Sequence, residues 1–437
     1  MTMLVRSSRF RAGADTAIGL WLGDEQRGLA IDFLTMEAVV RDDDAPVGSF
    51  YGAPSALLTN TTPPTKMLFN AAGVLTSGSN MRTDYDPITL QPKGLVIEGV
   101  GTNTAIHSQN FSAWAPAEVT VSSDVAVAPD GTTTADKIVE TTLGGSVNRL
   151  LYGSFTGTAA AWTLSVYAKA AERSWLYLRL DLAGPLVGAF FNLSTGVVGT
   201  VEAGIIATIH PAGNGWYRCS VTRTLTAVLY YYAIAETTGD TIKAHVGDGV
   251  SGLYIWGGQL ELGGIPTSYI PTTTASATRA TDNIFLIGAS LPVVPGVGTL
   301  LVEFLITYGN QANCPVMELT RSASGEQSRV HAYAIATGSN MQALMKDSTG
   351  ATSAGITFTT LPVGVVRRIA QTWADNDFAA SVTGRPQQTD TSGTAPTTHD
   401  KLFVHAHYLA AGGHKHIRKI KYLPRRVTNA ELEAMVV

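Results

Sequence analysis

Cysteine is almost missing: Cys219 and Cys314 are the only two in 437 residues. Two thiols far apart exclude a disulfide framework and any zinc-finger pairing of cysteines. Charge is also scarce. Charged residues make up 15% of the chain against 45% apolar ones, so the chain is no disordered polyelectrolyte and has material for packed cores. A formal net charge of −4 argues against a nucleic-acid binder. No apolar run reaches the ~20 residues that cross a bilayer, so membrane insertion is not expected. The opening MTMLVRSSRFRAGADT has charges with no apolar stretch behind them and does not read as a signal peptide.

Catalytic signatures are missing too. There is no G-x-S-x-G elbow and no H-E-x-x-H. Glycoside hydrolysis needs two carboxylates held across the scissile bond, and no strand carries an E-x-D-x-x-E pattern. No repeat of β-helix period occurs. Gly247-Asp248-Gly249-Val250-Ser251-Gly252 matches G-x-G-x-x-G by letter. A dinucleotide loop opens a helix, whereas Leu253 to Leu262 reads as a strand, so this is a turn. An enzyme is not expected, and no cofactor is called for.

What the chain does have is 44 glycines, abundant Ser and Thr, and alternation. Trp162, Leu164, Val166 and Ala168 alternate with Thr163, Ser165, Tyr167 and Lys169. Leu176, Leu178, Leu180 and Leu182 alternate with Trp175, Tyr177, Arg179 and Asp181. Period two puts one set on a core and the other outside. Leu300, Val302, Phe304 and Ile306 repeat the pattern nearer the end. Many short strands separated by turns point to sandwiches or jelly rolls rather than βαβ units. Near the end, Thr428 and Glu431 form a capping box for a short helix. The fold class is therefore all-β: an extended N-terminal arm, two consecutive β-sandwich (jelly-roll) domains and a short C-terminal helix. Residues 1–93 are expected to be a docking or oligomerisation arm with short strands, Gly19 to Leu22 and Leu29 to Leu34 being candidates, and Ala275 to about Pro295 a linker.

Several blocks carry a resemblance. GLVIEG at Gly94, the spacing of Ser108, Phe111 and Trp114, PDGTTTADKI, TLSVYAKAAERSWLYLRL, NGWYRCSVT and YIWGGQLELGG follow one another in order. Over residues 94–286 they resemble the carbohydrate-binding-like β-sandwich of bacteriophage tail-fibre and tail-spike proteins. RRIAQTWADNDFAASVTGR and IRKIKYLPRRVTNAELEAM give residues 287–437 a resemblance to the concanavalin-A-like lectin sandwich. The resemblance implies a virion protein, made in the host cytoplasm and carried on the phage tail or another appendage. It implies attachment to host surface polysaccharide without cleavage. It also implies contacts with other virion proteins through the N-terminal region, and a homo-oligomer, with a trimer favoured. The alternative is a purely structural decoration, collar or head-fibre protein.

Two site readings follow from the residues. The face of Trp175, Tyr177, Arg179 and Asp181 suits a glycan, because aromatic rings stack on sugar rings while Arg and Asp bond hydroxyls. The same face would equally suit packing against a neighbouring subunit. Trp216, Tyr217 and the run Tyr230-Tyr231-Tyr232 read as packing residues. The second reading concerns metal: His405-x-His407 and His414-x-His416 each place two imidazoles on one strand face, a donor set for Zn²⁺, Ni²⁺ or iron. A merely polar strand face explains them as well. The Lys- and Arg-rich stretch from Lys415 to Arg426 suits either an anionic partner or a solvated edge strand.

Overall fold

The computed structural model describes residues 22, 25, 27–42, 50–60, 66–78, 81, 83–143, 150–182, 186–226, 229–287, 291–307, 314–321, 329–335, 340–359, 361–362, 364–404 and 414–437. They are overwhelmingly β-strand and end in a short helix, Asn429–Val436. Its cap is the expected box. Thr428 Oγ1 accepts from the Glu431 N–H, and the Glu431 carboxylate accepts from the Thr428 N–H. Among the described residues no helix is long and apolar enough to cross a membrane.

The middle of the chain forms two six-stranded sheets face to face. One runs Ala115–Ala117, Leu150–Thr156, Leu229–Thr237, Trp175–Leu182, Gly188–Asn192, Val197–Val201 in spatial order. The other runs Val119–Ala126, Ala135–Glu140, Gly252–Leu262, Ala161–Ala170, Trp216–Thr224, Ile205–Pro211. Leu164, Val166, Leu176, Leu178 and Leu180 meet between them with Cys219, Ile234 and Leu260. The alternation read from the sequence is the one the core uses, and Cys219 is simply a small buried side chain in it. Tyr230 and Tyr232 are core members, and Trp216 is buried on the opposite face of its strand.

The second sandwich corrects the expectation of an arm. Its larger sheet contains Gly298–Leu305, Val366–Ala374 and Lys415–Leu423, but also Arg27–Asp32, Glu37–Asp42 and Phe50–Gly52. Arg27–Asp32 lies antiparallel to the last strand, with Leu29 opposite Tyr422 and Ile31 opposite Ile420. The facing seven-stranded sheet takes in Thr59–Asn60 and Ile284–Ile287 beside Lys401–Phe403. The physical reason is that Arg27–Asp32 is apolar on both sides. Leu29 and Ile31 enter the main core, while Ala30 packs with Leu432 and Val436 beneath the terminal helix. A strand buried on both faces reads as a continuous apolar run rather than an alternation. Within the expected linker, Ala277–Arg279 pairs with Gly101–Asn103, and Ile284–Ile287 straddles the expected boundary at 286.

Lys66–Phe69 and Leu75–Gly78 form a hairpin between the two sandwiches in chain order. It lays Met67, Phe69 and Leu75 on Tyr167, Trp216, Trp256 and Tyr269 of the middle sandwich. Behind this hairpin the two sandwiches meet.

Candidate functional site

The expected glycan face is closed by its own chain. Tyr177, Arg179 and Asp181 are 2%, 6% and 0% exposed, and Trp175 is half-buried. Tyr177 stacks on Phe190 with ring centroids 4.2 Å apart, and its hydroxyl donates to Glu202 at 2.6 Å. Lys243 lies over the same ring and pairs with Glu202. Arg179 is spent on Asp181 two residues away. Alternation had placed these side chains outside the core correctly, but it carries no information about what lies on top of them.

The basic stretch is also committed. Arg418 and Arg368 share Glu303, Lys419 pairs with Asp32, Arg425 with Glu25 and Glu431, and Arg426 with Asp377. It holds the N-terminal strands and the terminal helix to the last sheet rather than presenting an open cationic surface.

Of the four histidines proposed as metal donors, His405 and His407 lie outside the described residues. His414 and His416 do share one face, with ring centroids 5.2 Å apart. They belong to a buried cluster at the seam between the sandwiches. His416 Nε2 lies 2.9 Å from Asp84, which also pairs with Lys93 at 3.2 Å. His414 faces Glu98 at 3.7 Å. Glu98 accepts from Ser268 N–H and Oγ at 2.6 and 2.7 Å and faces Arg279 at 3.5 Å. Asp282 accepts from Lys66 and from the Glu98 N–H, and Lys66 also donates to Val96 O at 2.6 Å.

Three carboxylates thus face three cations. Burial pushes both imidazoles down, His414 to about 3 despite Glu98 opposite, and His416 despite the hydrogen bond to Asp84. Burial would raise Glu98, but Arg279, His414 and Lys66 together hold it at about 2. Asp84 is likewise pushed up by burial but brought below the usual carboxylate range by Lys93 and His416. For Lys66 and Asp282, burial lowers the ammonium and raises the carboxyl, as expected of a desolvated pair. Only the His414-x-His416 pair shows in the sequence, because the groups it meets lie hundreds of residues earlier: 332 separate His416 from Asp84.

Over the cluster opens a cleft. It consists of two adjoining cavities of about 250 and about 420 Å³ that share His210 and Thr307. One wall is the outer face of the edge strand Ile205–Pro211 and its neighbour Trp216–Thr224, where His210 stands opposite Arg218 and Thr208 opposite Ser220. The side chains are pre-arranged. Arg218 donates to Thr267 O at 2.6 Å and Ser165 Oγ at 3.1 Å, with its guanidinium 5.4 Å over the Tyr167 ring. Thr208 and Ser220 hydroxyls are 2.6 Å apart, and Thr163 and Thr222 hydroxyls 2.7 Å. The hairpin and following strand add Phe69, Asp86 and Lys93, and the second sandwich adds Leu305, Thr307 and His414.

The Thr307 hydroxyl is buried with no hydrogen-bond partner among the described residues. Burial, with help from Lys93 and Arg218, lowers His210 to about 4. At neutral pH its ring is uncharged, with one nitrogen donating and one accepting. The cleft therefore offers hydroxyls, a neutral imidazole and apolar patches from Ile206, Ile209 and Pro266. Such a wall can bond several hydroxyls of a ligand while packing on its apolar faces. A concave pocket with a few convergent polar groups and perturbed titratable side chains is where ligand binding is sought first.

No protein-family model matches the chain, and no curated protein matches its sequence. Solved structures give partial likenesses. The botulinum neurotoxin serotype D binding domain has a TM-score of 0.28 and 12% identity, over 35% of this chain and 40% of that one. The Ruminococcus gnavus IT-sialidase CBM40 bound to alpha2,6 sialyllactose has a TM-score of 0.28 and 13% identity, over 33% and 85%. An alginate lyase from Alteromonas sp. 272 has a TM-score of 0.22 and 8% identity, over 36% and 70%. At these scores the likenesses carry no weight for function.

Proposed function

We propose that the chain is a non-catalytic saccharide-binding protein of a bacteriophage appendage, a tail fibre or spike, and that it holds host surface glycan in the seam cleft. The observation that carries the binding part is the cleft wall itself: fixed hydroxyls, the neutral His210 and the unpartnered Thr307 hydroxyl around adjoining cavities. Of the two cleft carboxylates, Asp84 is bound to Lys93 and His416 and Asp86 accepts from the Ile88 and Thr89 N–H groups, both held below the usual carboxylate range, which suits a scaffold rather than a proton donor. The phage assignment rests on the sequence blocks of residues 94–286. Docking on the particle through the N-terminal region and assembly as a trimer belong to the same reading, since weak single sites gain from multivalency.

Binding of purified protein to a panel of host surface polysaccharides tests this, with His210→Ala alongside. Loss of one hydrogen bond in the cleft should weaken binding about tenfold, with thermal stability and oligomeric state unchanged. Absence of binding to any polysaccharide or intact cells, with the protein held tightly in the particle, would shift the assignment to a structural virion role.

A further inference from the structure

A second constellation lies in the middle sandwich and takes no part in the cleft. Glu140 ends the strand Ala135–Glu140 in one sheet, Glu236 lies near the end of Leu229–Thr237 in the other, and His245 comes from the loop that follows. His245 Nε2 is 2.9 Å from Glu140 Oε2 and 3.5 Å from Glu236 Oε2. One donor atom from each residue lies within 4.8 Å of the other two. Donors on a tetrahedral Zn²⁺, with bonds of about 2.0–2.1 Å, stand about 3.3–3.4 Å apart, and the two observed spacings bracket that separation.

Charge points the same way. Both glutamate side chains are 0% exposed and the imidazole is 9% exposed. Arg173 clasps Glu140 with Nε–Oε2 at 3.0 Å and Nη2–Oε1 at 2.6 Å, and lies 3.7 Å from Asp248. The carboxylates of Glu140, Glu236 and Asp248 gather around Arg173 and His245. A divalent ion at the three donors would sit among these carboxylates. Glu140 Oε2 already receives Arg173 Nε, so an ion would enter where His245 and Glu140 now meet, replacing the proton between them.

We infer that Glu140, Glu236 and His245 form a structural site for a divalent transition-metal ion of the Zn²⁺ class. One imidazole with two carboxylates is a mixed nitrogen and oxygen set, which suits such ions better than Ca²⁺ with its 6–8 oxygens. Three protein donors leave a position for water. The ion would tie both sheets and the loop at residues 243–251 into one unit.

The test uses full-length, tag-free, chelator-stripped protein, titrated calorimetrically with ZnCl₂ and melted with and without it. One Zn²⁺ per chain is expected, with a rise in Tm of roughly 5–10 °C at a hundredfold excess over Kd, and no rise with CaCl₂. Glu236→Gln and His245→Ala should each weaken Zn²⁺ binding at least tenfold and remove the rise. Two results would overturn the site: wild-type protein that takes up no stoichiometric Zn²⁺, or uptake unchanged in both variants, which would place the ion on other histidines. If Glu236→Gln does not fold, the wild-type stoichiometry and His245→Ala still decide.

Discussion

At the scale of single residues, the seam cluster shows how much a buried charge depends on its partner. Lys66 and Asp282 are both fully buried, and the ammonium also holds Val96 O. Removing one member of such a pair strands the other in a low dielectric. Lys66→Met should therefore destabilise the protein by about 3–5 kcal/mol in chemical denaturation, and a second change, Asp282→Leu, should recover part of the loss. If Lys66→Met alone proved neutral, the pair would not be holding the seam.

The histidines at the seam give a pH dependence. His414 is lowered from 6.5 to about 3, and His416 is lowered too. A histidine kept neutral in the fold binds its proton more readily when unfolded, so the unfolded state gains as pH falls. The stability is full above about 6.5 and declines toward the folded values, by about 1.4 kcal/mol per pH unit for each such histidine. Glu98, lowered from 4.5 to about 2, extends the decline below 4.5. Melting scans should show a level Tm from pH 7.5 to about 6.5 and a steady fall from there to pH 4, which His414→Asn should lessen. A pH-independent Tm over that range would contradict buried neutral rings.

At the scale of elements, the strand Arg27–Asp32 is the informative one. It is not a spare arm, because Leu29 and Ile31 are 0% exposed and hydrogen-bonded neighbours lie on both sides. Leu29→Ala should cost about 2–5 kcal/mol, as for other fully buried leucines. A chain beginning at residue 94 should lose the cooperative unfolding of the second sandwich while the middle sandwich still melts as a unit. Gly94 itself cannot be replaced cheaply. Its φ is +113°, and an added Cβ would sit 2.5 Å from Ile417 O.

The contrast shows which elements are legible in the sequence. Strands with one wet or polar face, such as Trp175–Leu182, announce themselves by period two. The capping box of Thr428 and Glu431 is equally local. The strand Arg27–Asp32 shows as a short apolar run, but with no polar face nothing local says where it packs, and its partner Lys415–Leu423 is set by tertiary pairing rather than neighbouring sequence. The candidate cleft was legible least of all. His210, Thr307 and Lys93 come from three distant parts of the chain, and nothing near any of them signals the other two.

At the scale of the whole molecule, the chain leaves the second sandwich only after Pro92–Ile97, which pairs with Lys415–Leu423, builds the middle one, and returns at Ile284. The two bodies meet across a charge-balanced seam, and the cleft lies along the same seam. Ligand binding and the fit between the sandwiches should therefore be coupled. Polysaccharide that occupies the cleft should raise the Tm of the second sandwich as well as that of the middle one.

The pairing of Arg27–Asp32 with Lys415–Leu423 also has a consequence during synthesis. Glu25 and Arg425, which pair across that junction, are 400 residues apart. At about 5–20 residues per second the ribosome needs roughly 20–80 s to cover that distance. For that time the first strands can pair only with one another, their apolar faces and the open edge of Arg27–Asp32 lacking the last strand, while the middle sandwich is complete enough to fold. The newborn chain must be kept from pairing with its siblings until its last residues arrive. Its yield in a cell should therefore depend on chaperones and temperature far more than the stability of the finished protein would suggest.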